Sequence, residues 1–258
     1  MLDLVHLPGG IFAMGSTMEE VGQCVDFWAR KLAEPSYDVA QFHQWILKEY
    51  PRRSVEIEPF RIMRFPVTNA EYGRFIAARR GPIPESLTTG EPADHPVWGV
   101  AFEDAAAFAE WAGDELGESF ALPSEEQWEY AARGTSARQY PYGEEFDPAA
   151  CNTIEAGVGR TTPVGRYPRG VSPFGVFDMA GNVEEWTSSR YEPYPGGTFV
   201  DDDLSRTLGP RYRILRGGSF ARGGDLARCA RRHGPLPRPE FRFTGFRLVA
   251  AASARGGP

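Results

Sequence analysis

"FDMAGNVEEWTSS", Phe177–Ser189, is the stretch on which the reading of this chain turns. Gly181 and Asn182 read as a tight turn, because both residue types tolerate positive φ. Two carboxylates follow at once, and Trp186 closes the group. Residue types alone leave three readings open: a turn with a solvated acidic edge, a metal site, or part of a catalytic pocket. Adjacent side chains of an extended segment point to opposite sides. Glu184 and Glu185 are therefore poor candidates for a general acid/base pair.

Downstream, turns dominate. "YPYGEEFDP", "EAGVG", "YPRGVSPFG" and "PYPGG" separate short strand candidates, "TPVGRY", "YRILRGGSF" and "RFTGFRLVAA". Upstream, helices dominate. "TNAE" is a capping box at Thr68, with Tyr72, Phe75 and Ile76 on one face of the helix that follows. The helix "EDAAAFAEWAGDELG" turns Ala105, Phe108, Ala109, Ala112 and Leu116 inward. "LPSEEQWEYAARG" is a third helix, capped by Ser124 with Gln127, and Gly134 stands as its C′ glycine. Nearer the N-terminus, residues 1–16 read as a strand pair. Apolar spacing predicts helices over 18–33 and 38–49, with Pro35 as a break. "SVEIEPFRIMRFPVT" alternates as strands. The expectation is one α+β domain, 1–258, with small antiparallel sheets, packed helices and much irregular loop. Residues 17–55 read as a helical embellishment.

With 258 residues the chain is ample for a buried core. Its 29 glycines and 22 prolines favour many turns over long helices. A net charge of −7 argues against nucleic acid as a partner. Arginines concentrate between Arg211 and Arg247, read as structural partners of the acidic remainder. No stretch is long and apolar enough to span a membrane, and the N-terminus lacks a signal-peptide pattern. Cys24, Cys151 and Cys229 are widely spaced and odd in number, a reducing-compartment pattern, so a cytoplasmic location is expected.

Taken in order, "MRFPVTNAEYGRFI", "HPVWGVAFEDAAAFAEWAG", "LPSEEQWEYAARG", "YPYG", "TTPVG", "GVFDMAGNVEEWT", "RILRGGSF" and "GFRLV" resemble formylglycine-generating-enzyme-like domains, also called sulfatase-modifying-factor domains. The likeness runs from about residue 5 to 250. It implies a C-type-lectin-like variant fold. The family includes copper-dependent oxidases that convert a cysteine to formylglycine, the lectin-like halves of iron-dependent sulfoxide synthases, and retroelement-diversified ligand-binding proteins. Fold alone does not choose among these.

The resemblance places copper thiolates after the "GGS" motif, because Cu(I) requires soft sulfur ligands. Here "GGSFARGGDLARCARRHG" holds only Cys229, at a position that is structural in the family, with Arg222 and Ala227 near the thiolate positions. No copper is expected. His6, His43, His95 and His233 show no metal-ligand spacing, so iron chemistry on this chain alone is not expected either. The family's calcium site maps onto Asp178, Gly181, Val183 and Glu185, a mix of carboxylate and carbonyl oxygens that suits a hard cation. A second calcium site would begin at Asn152 and Thr153, with Glu155 replacing a missing aspartate. On these grounds the expected function is a ligand- or protein-recognition module stabilised by calcium. Its partner would be an unknown protein or small molecule. Its face lies in the C-terminal segment 211–250, with Trp186, Ser219, Arg222, Arg231, His233, Phe241 and Phe243 as ligand residues, open to retroelement diversification. The alternative is a metal- or oxygen-dependent oxidoreductase of a biosynthetic pathway with a non-standard site.

Overall fold

The computed structural model describes residues 2–31 and 38–252, with the side chain of Glu240 excepted. Leu32, the predicted end of the first helix and Pro35 lie outside the described residues. The elements in order are β1 (Leu4–Leu7), β2 (Gly10–Met14), α1 (Met18–Ala29), α2 (Val39–Leu47), β3 (Arg53–Ile57), β4 (Phe60–Met63), α3 (Asn69–Arg79) and α4 (Glu85–Thr88). Then come α5 (Phe102–Leu116), β5 (Phe120–Ala121), α6 (Glu125–Arg133), β6 (Glu184–Arg190), α7 (Asp203–Leu208), β7 (Arg213–Arg216), β8 (Thr244–Gly245) and β9 (Val249–Ala251). The fold is α+β, small sheets with packed helices and much irregular loop, the arrangement that the resemblance to a C-type-lectin-like variant implied.

The strands at the N-terminus do not pair with each other, contrary to the sequence expectation. β1 pairs antiparallel with β4, and β2 with β3. The two pairings share one register: Leu7 faces Phe60, and Gly10 faces Ile57. They form a single bent ribbon whose ladder is interrupted at Pro8 and Pro59, which that register sets opposite each other. Neither proline has an N–H to donate, so the ladder breaks there and the halves enter different sheets. Gly9 permits the bend: at φ 73°, a Cβ would sit 2.5 Å from the Ile57 carbonyl oxygen.

The first sheet runs β1-β4-β9-β5 and a third sheet runs β7-β6-β8, with β6 and β8 parallel. "TPVGRY" forms no strand. Gly165 takes φ 76°, and its amide is drawn to the Asp178 carboxylate at 2.7 Å. The capping boxes at Thr68 and Ser124 form as read. Ala105, Phe108, Ala109 and Ala112 are buried, whereas Leu116, the last residue of α5 before its Gly117 cap, is 45% exposed.

Helices α1 and α2 are inserted between β2 and β3, and they are not an appendage. Trp28, Phe42 and Ile46 are buried. Two charged residues just after α2 reach into the C-terminal half. Lys48 Nζ lies 2.6 Å from Asp202, and Glu49 accepts from Arg228 at 2.8 Å. Burying such charges is tolerable only when each is paired. The helical pair is thus locked onto the segment that carries the candidate site.

Candidate functional site

Strand β6 starts directly after the Gly181–Asn182 turn. Gly181 (φ 78°) must be glycine, because a Cβ would meet the Asn152 carbonyl oxygen at 2.2 Å. Asn182 (φ 68°) is fully buried, and its amide oxygen accepts from Thr162 N at 3.0 Å. The turn therefore ties three loops together before the strand begins.

The two glutamates part as strand geometry requires. Glu185 faces inward. Both its oxygens accept from Arg247, at 2.7 and 2.6 Å, and Trp128 Nε1 donates to it at 2.9 Å. Glu184 faces the other way, its Oε1 2.7 Å from His233 Nδ1. Trp186 is buried, and its indole donates to the Val100 carbonyl at 2.8 Å.

The segment read as a ligand face is mostly interior. Trp186, Ser219, Arg231 and His233 are buried, and only Arg222, Phe241 and Phe243 are half-exposed. His233 does not stand in a free loop. Its backbone pairs with Leu215 in both directions, at 2.9 and 3.2 Å, beside β7. The half-exposed residues gather above it. Phe241 packs on the His233 ring at 5.1 Å, and the Arg222 guanidinium lies 4.1 Å over the Phe241 ring. Phe243 packs on Phe220 at 4.3 Å and on Trp98 at 5.0 Å. Underneath, Asp225 is 3% exposed and faces Arg231 at 3.7 Å. Burial raises the Asp225 carboxyl above its usual range, against the pull of Arg231, Arg222, Arg228 and His233. Trp98, Glu184, Phe220 and Asp225 escaped the sequence reading of this site. The spacing of an acid in β6 and an acid nine residues past the "RILR" strand carries no signal that they converge.

Much of the arginine cluster is structural, as read. Arg216 and Arg232 share Glu125, at 2.9 and 2.8 Å, and Arg216 also reaches Glu129 at 3.1 Å.

The donor set was tested against the family's metals. Copper does not fit: Cys229 is sealed, and burial pushes its thiol up to about 12, far from the thiolate a copper ligand requires. Among the described residues, no group of three or more His, Cys, Asp or Glu side chains is placed to hold a metal ion. For calcium the donors are partly engaged. Glu185 is held by Arg247, and Asp178 accepts from Gly165 N. Glu155 accepts from Gly224 N at 3.0 Å. Thr153 is buried, and the Asn152 amide oxygen is buried with no partner.

Burial lifts the Asp178 carboxyl to about 6, opposed by its bond from Gly165 and by Arg247. A folded value above the unfolded one stabilises the protein below about pH 4, and that stability is lost as pH rises through about 6. Asp178→Asn in chelator is therefore expected to gain about 3 kcal/mol over the parent near pH 7 and little near pH 4. Urea titrations at both pH values check this, and a pH-independent difference would count against the buried charge.

The bent ribbon, the capped α6 with its buried acids and the turn into β6 define a sulfatase-modifying-factor-type domain. The sulfatase-modifying factor enzyme 1-like domain family matches residues 1–252, and the chain belongs to that family. It is 34% identical over 253 residues to the hercynine oxygenase of Mycolicibacterium thermoresistibile, covering 81% of this chain and 55% of the relative. The chain thus spans about half the length of the hercynine oxygenases it matches. It is 27% identical to the formylglycine-generating enzyme of Mycobacterium tuberculosis, covering 97% of this chain and 98% of the relative. Among solved structures, PvdO from Pseudomonas aeruginosa superposes with a TM-score of 0.68 at 25% identity, covering 96% and 94% of the two chains. These relatives overturn the recognition-module expectation: similarity at 33–34% runs to proteins named as oxygenases. The residues offered as a binding face are also largely buried. No helix among the described residues is long and apolar enough to cross a membrane.

Proposed function

We propose that this chain is an oxygen-dependent oxidoreductase acting on a small substrate, with its site beneath Phe241 and Phe243. The observation that supports the reading most is the 34% identity, across 81% of the chain, to a hercynine oxygenase. The site gathers buried ionisable pairs under an aromatic cover: Glu184 with His233, and Asp225 with Arg231. Buried ionisable groups gathered in one place, with the Asp225 carboxyl raised by burial, are a mark of catalytic sites. The aromatic cover formed by Phe220, Phe241 and Phe243 would exclude water from them.

The relatives' names support hercynine as the substrate to try first, with a cysteine-bearing peptide, the substrate of the oxidases the family resemblance implies, as the second. The metal expected of this family is not held by side chains of the described residues, so no step is assigned to one. Calcium at Asp178, Gly181, Val183 and Glu185, with a second ion near Asn152, Thr153 and Glu155, remains a separate structural proposal. Oxygen uptake by the purified chain is the test, with hercynine or a cysteine peptide, and with iron(II) or copper(I) supplied in turn. Substrate-dependent uptake that His233→Ala or Phe241→Ala reduces supports the reading. Absence of uptake in every combination sinks it.

A further inference from the structure

We propose that His233 is the proton acceptor of this site, with Glu184 as the residue that positions it. The assignment of turnover rests on the oxidoreductase reading, while the geometry stands without it.

A carboxylate oxygen only accepts hydrogen bonds, so the 2.7 Å contact from Glu184 Oε1 places the proton on His233 Nδ1. In the neutral imidazole the lone pair is then on Nε2. His233 makes no other side-chain hydrogen bond among the described residues. A pair that served only to pin this segment to the sheet would be redundant, because the backbone bonds with Leu215 already do so. Around the ring lie further polar groups without a hydrogen-bonding partner. Asp225 is separated from Arg231 Nε by 3.7 Å, beyond hydrogen-bond range, and accepts no side-chain hydrogen bond. The Nε atoms of Arg222 and Arg231 are buried and make no hydrogen bond, although Arg231 Nε faces Asp225 across the 3.7 Å ion pair. An acid and two guanidinium Nε atoms without hydrogen bonds, close to the imidazole, suit a polar ligand.

The step this geometry supports is a simple one. A substrate offers an N–H, O–H or S–H to Nε2. That bond breaks, its electron pair stays on the substrate heteroatom, and the proton bonds to Nε2. The imidazolium formed is stabilised by Glu184 on its far side, and no electrons are exchanged with an oxidant in this half-step. Phe241, resting on the imidazole, is the cover that must yield to admit the substrate. Arg222, on the same ring, favours a substrate that also carries an anionic group.

Diethyl pyrocarbonate acylates unprotonated imidazole nitrogens, and the chain has only 4 histidines, so mass mapping of peptides resolves each one. In the native protein His233 is expected to react although it is 6% exposed. Glu184→Gln should slow its reaction severalfold, leaving exposed His6 unchanged, and Phe241→Ala should speed it. In oxygen uptake, Glu184→Gln should lower kcat about 10-fold or more with KM unchanged, the effect of losing the partner that orients a functional histidine. If Glu184→Gln does not fold, half-exposed Phe241→Ala still reads the access of Nε2. A His233 that reacts only in denaturant overturns the proposal, as does one indifferent to both substitutions in folded protein. Labelling requires no turnover. Intact labelling without oxygen uptake would therefore count against the oxidoreductase reading and leave the proton acceptor standing.

Discussion

Glu125→Ala is expected to destabilise the protein by about 3–5 kcal/mol, the cost of leaving a buried charge without its partner. Glu125 opens α6 and takes two arginines: Arg216 at 2.9 Å, and Arg232 at 2.9 and 2.8 Å. Both arginine side chains are fully buried. Arg216 would keep Glu129, Tyr194 and the Cys229 carbonyl, and Arg232 would keep the Lys48 carbonyl. Arg232 would then have no carboxylate, and Arg216 would share Glu129 with Arg133. Glu125→Gln keeps an acceptor and should cost less. Urea denaturation at neutral pH measures both, and a loss below about 1 kcal/mol for alanine would show that the cluster is hydrated or rearranges. The effect should extend beyond α6, since Glu129 also binds Arg133 and the Gly15 amide of the bent ribbon.

Glu185→Gln is the second large effect, again about 3–5 kcal/mol. Arg247 is buried and spends two hydrogen bonds on Glu185, while the rest of its donors go to the carbonyls of Met63, Arg64 and Phe177. A neutral amide cannot balance that charge. This loss is expected with or without chelator, so the substitution by itself does not report calcium. The informative comparison is the parent protein. A chelator that lowers its melting temperature, and leaves that of Glu185→Gln unmoved, would assign calcium to Asp178, Gly181, Val183 and Glu185. Equal melting of the parent with and without chelator would remove the ion from this turn.

Local rules served well where the deciding forces were local. The capping boxes at Thr68 and Ser124 depend on a hydroxyl and an acid or amide three residues apart, and both formed. Strand alternation separated Glu184 from Glu185, and Trp186 turned inward. The same rules misplaced the N-terminal strands, because Pro8 and Pro59 act across a ladder that joins distant parts of the chain. They also treated the α1–α2 segment as peripheral. In sequence, Lys48 and Glu49 look like an ordinary solvated helix end. Only their partners Asp202 and Arg228, more than 150 residues away, show them to be interior. The functional expectation erred for a related reason: arginine, histidine and aromatic residues after a "GGS" motif suggest an exposed face, and exposure is not written in residue type.

The sequence by itself determined the family, through eight short motifs in a fixed order, and with it the α+β scaffold. Those features are carried by spacing along the chain. The tertiary structure decided which charge meets which. A buried ion pair is set by proximity in space, since desolvation makes every unpaired alternative costly. Glu185 thereby became the anchor of Arg247, and Glu184 the partner of His233. The turn at Phe177–Ser189 thus sends one carboxylate to the core and its neighbour to the site.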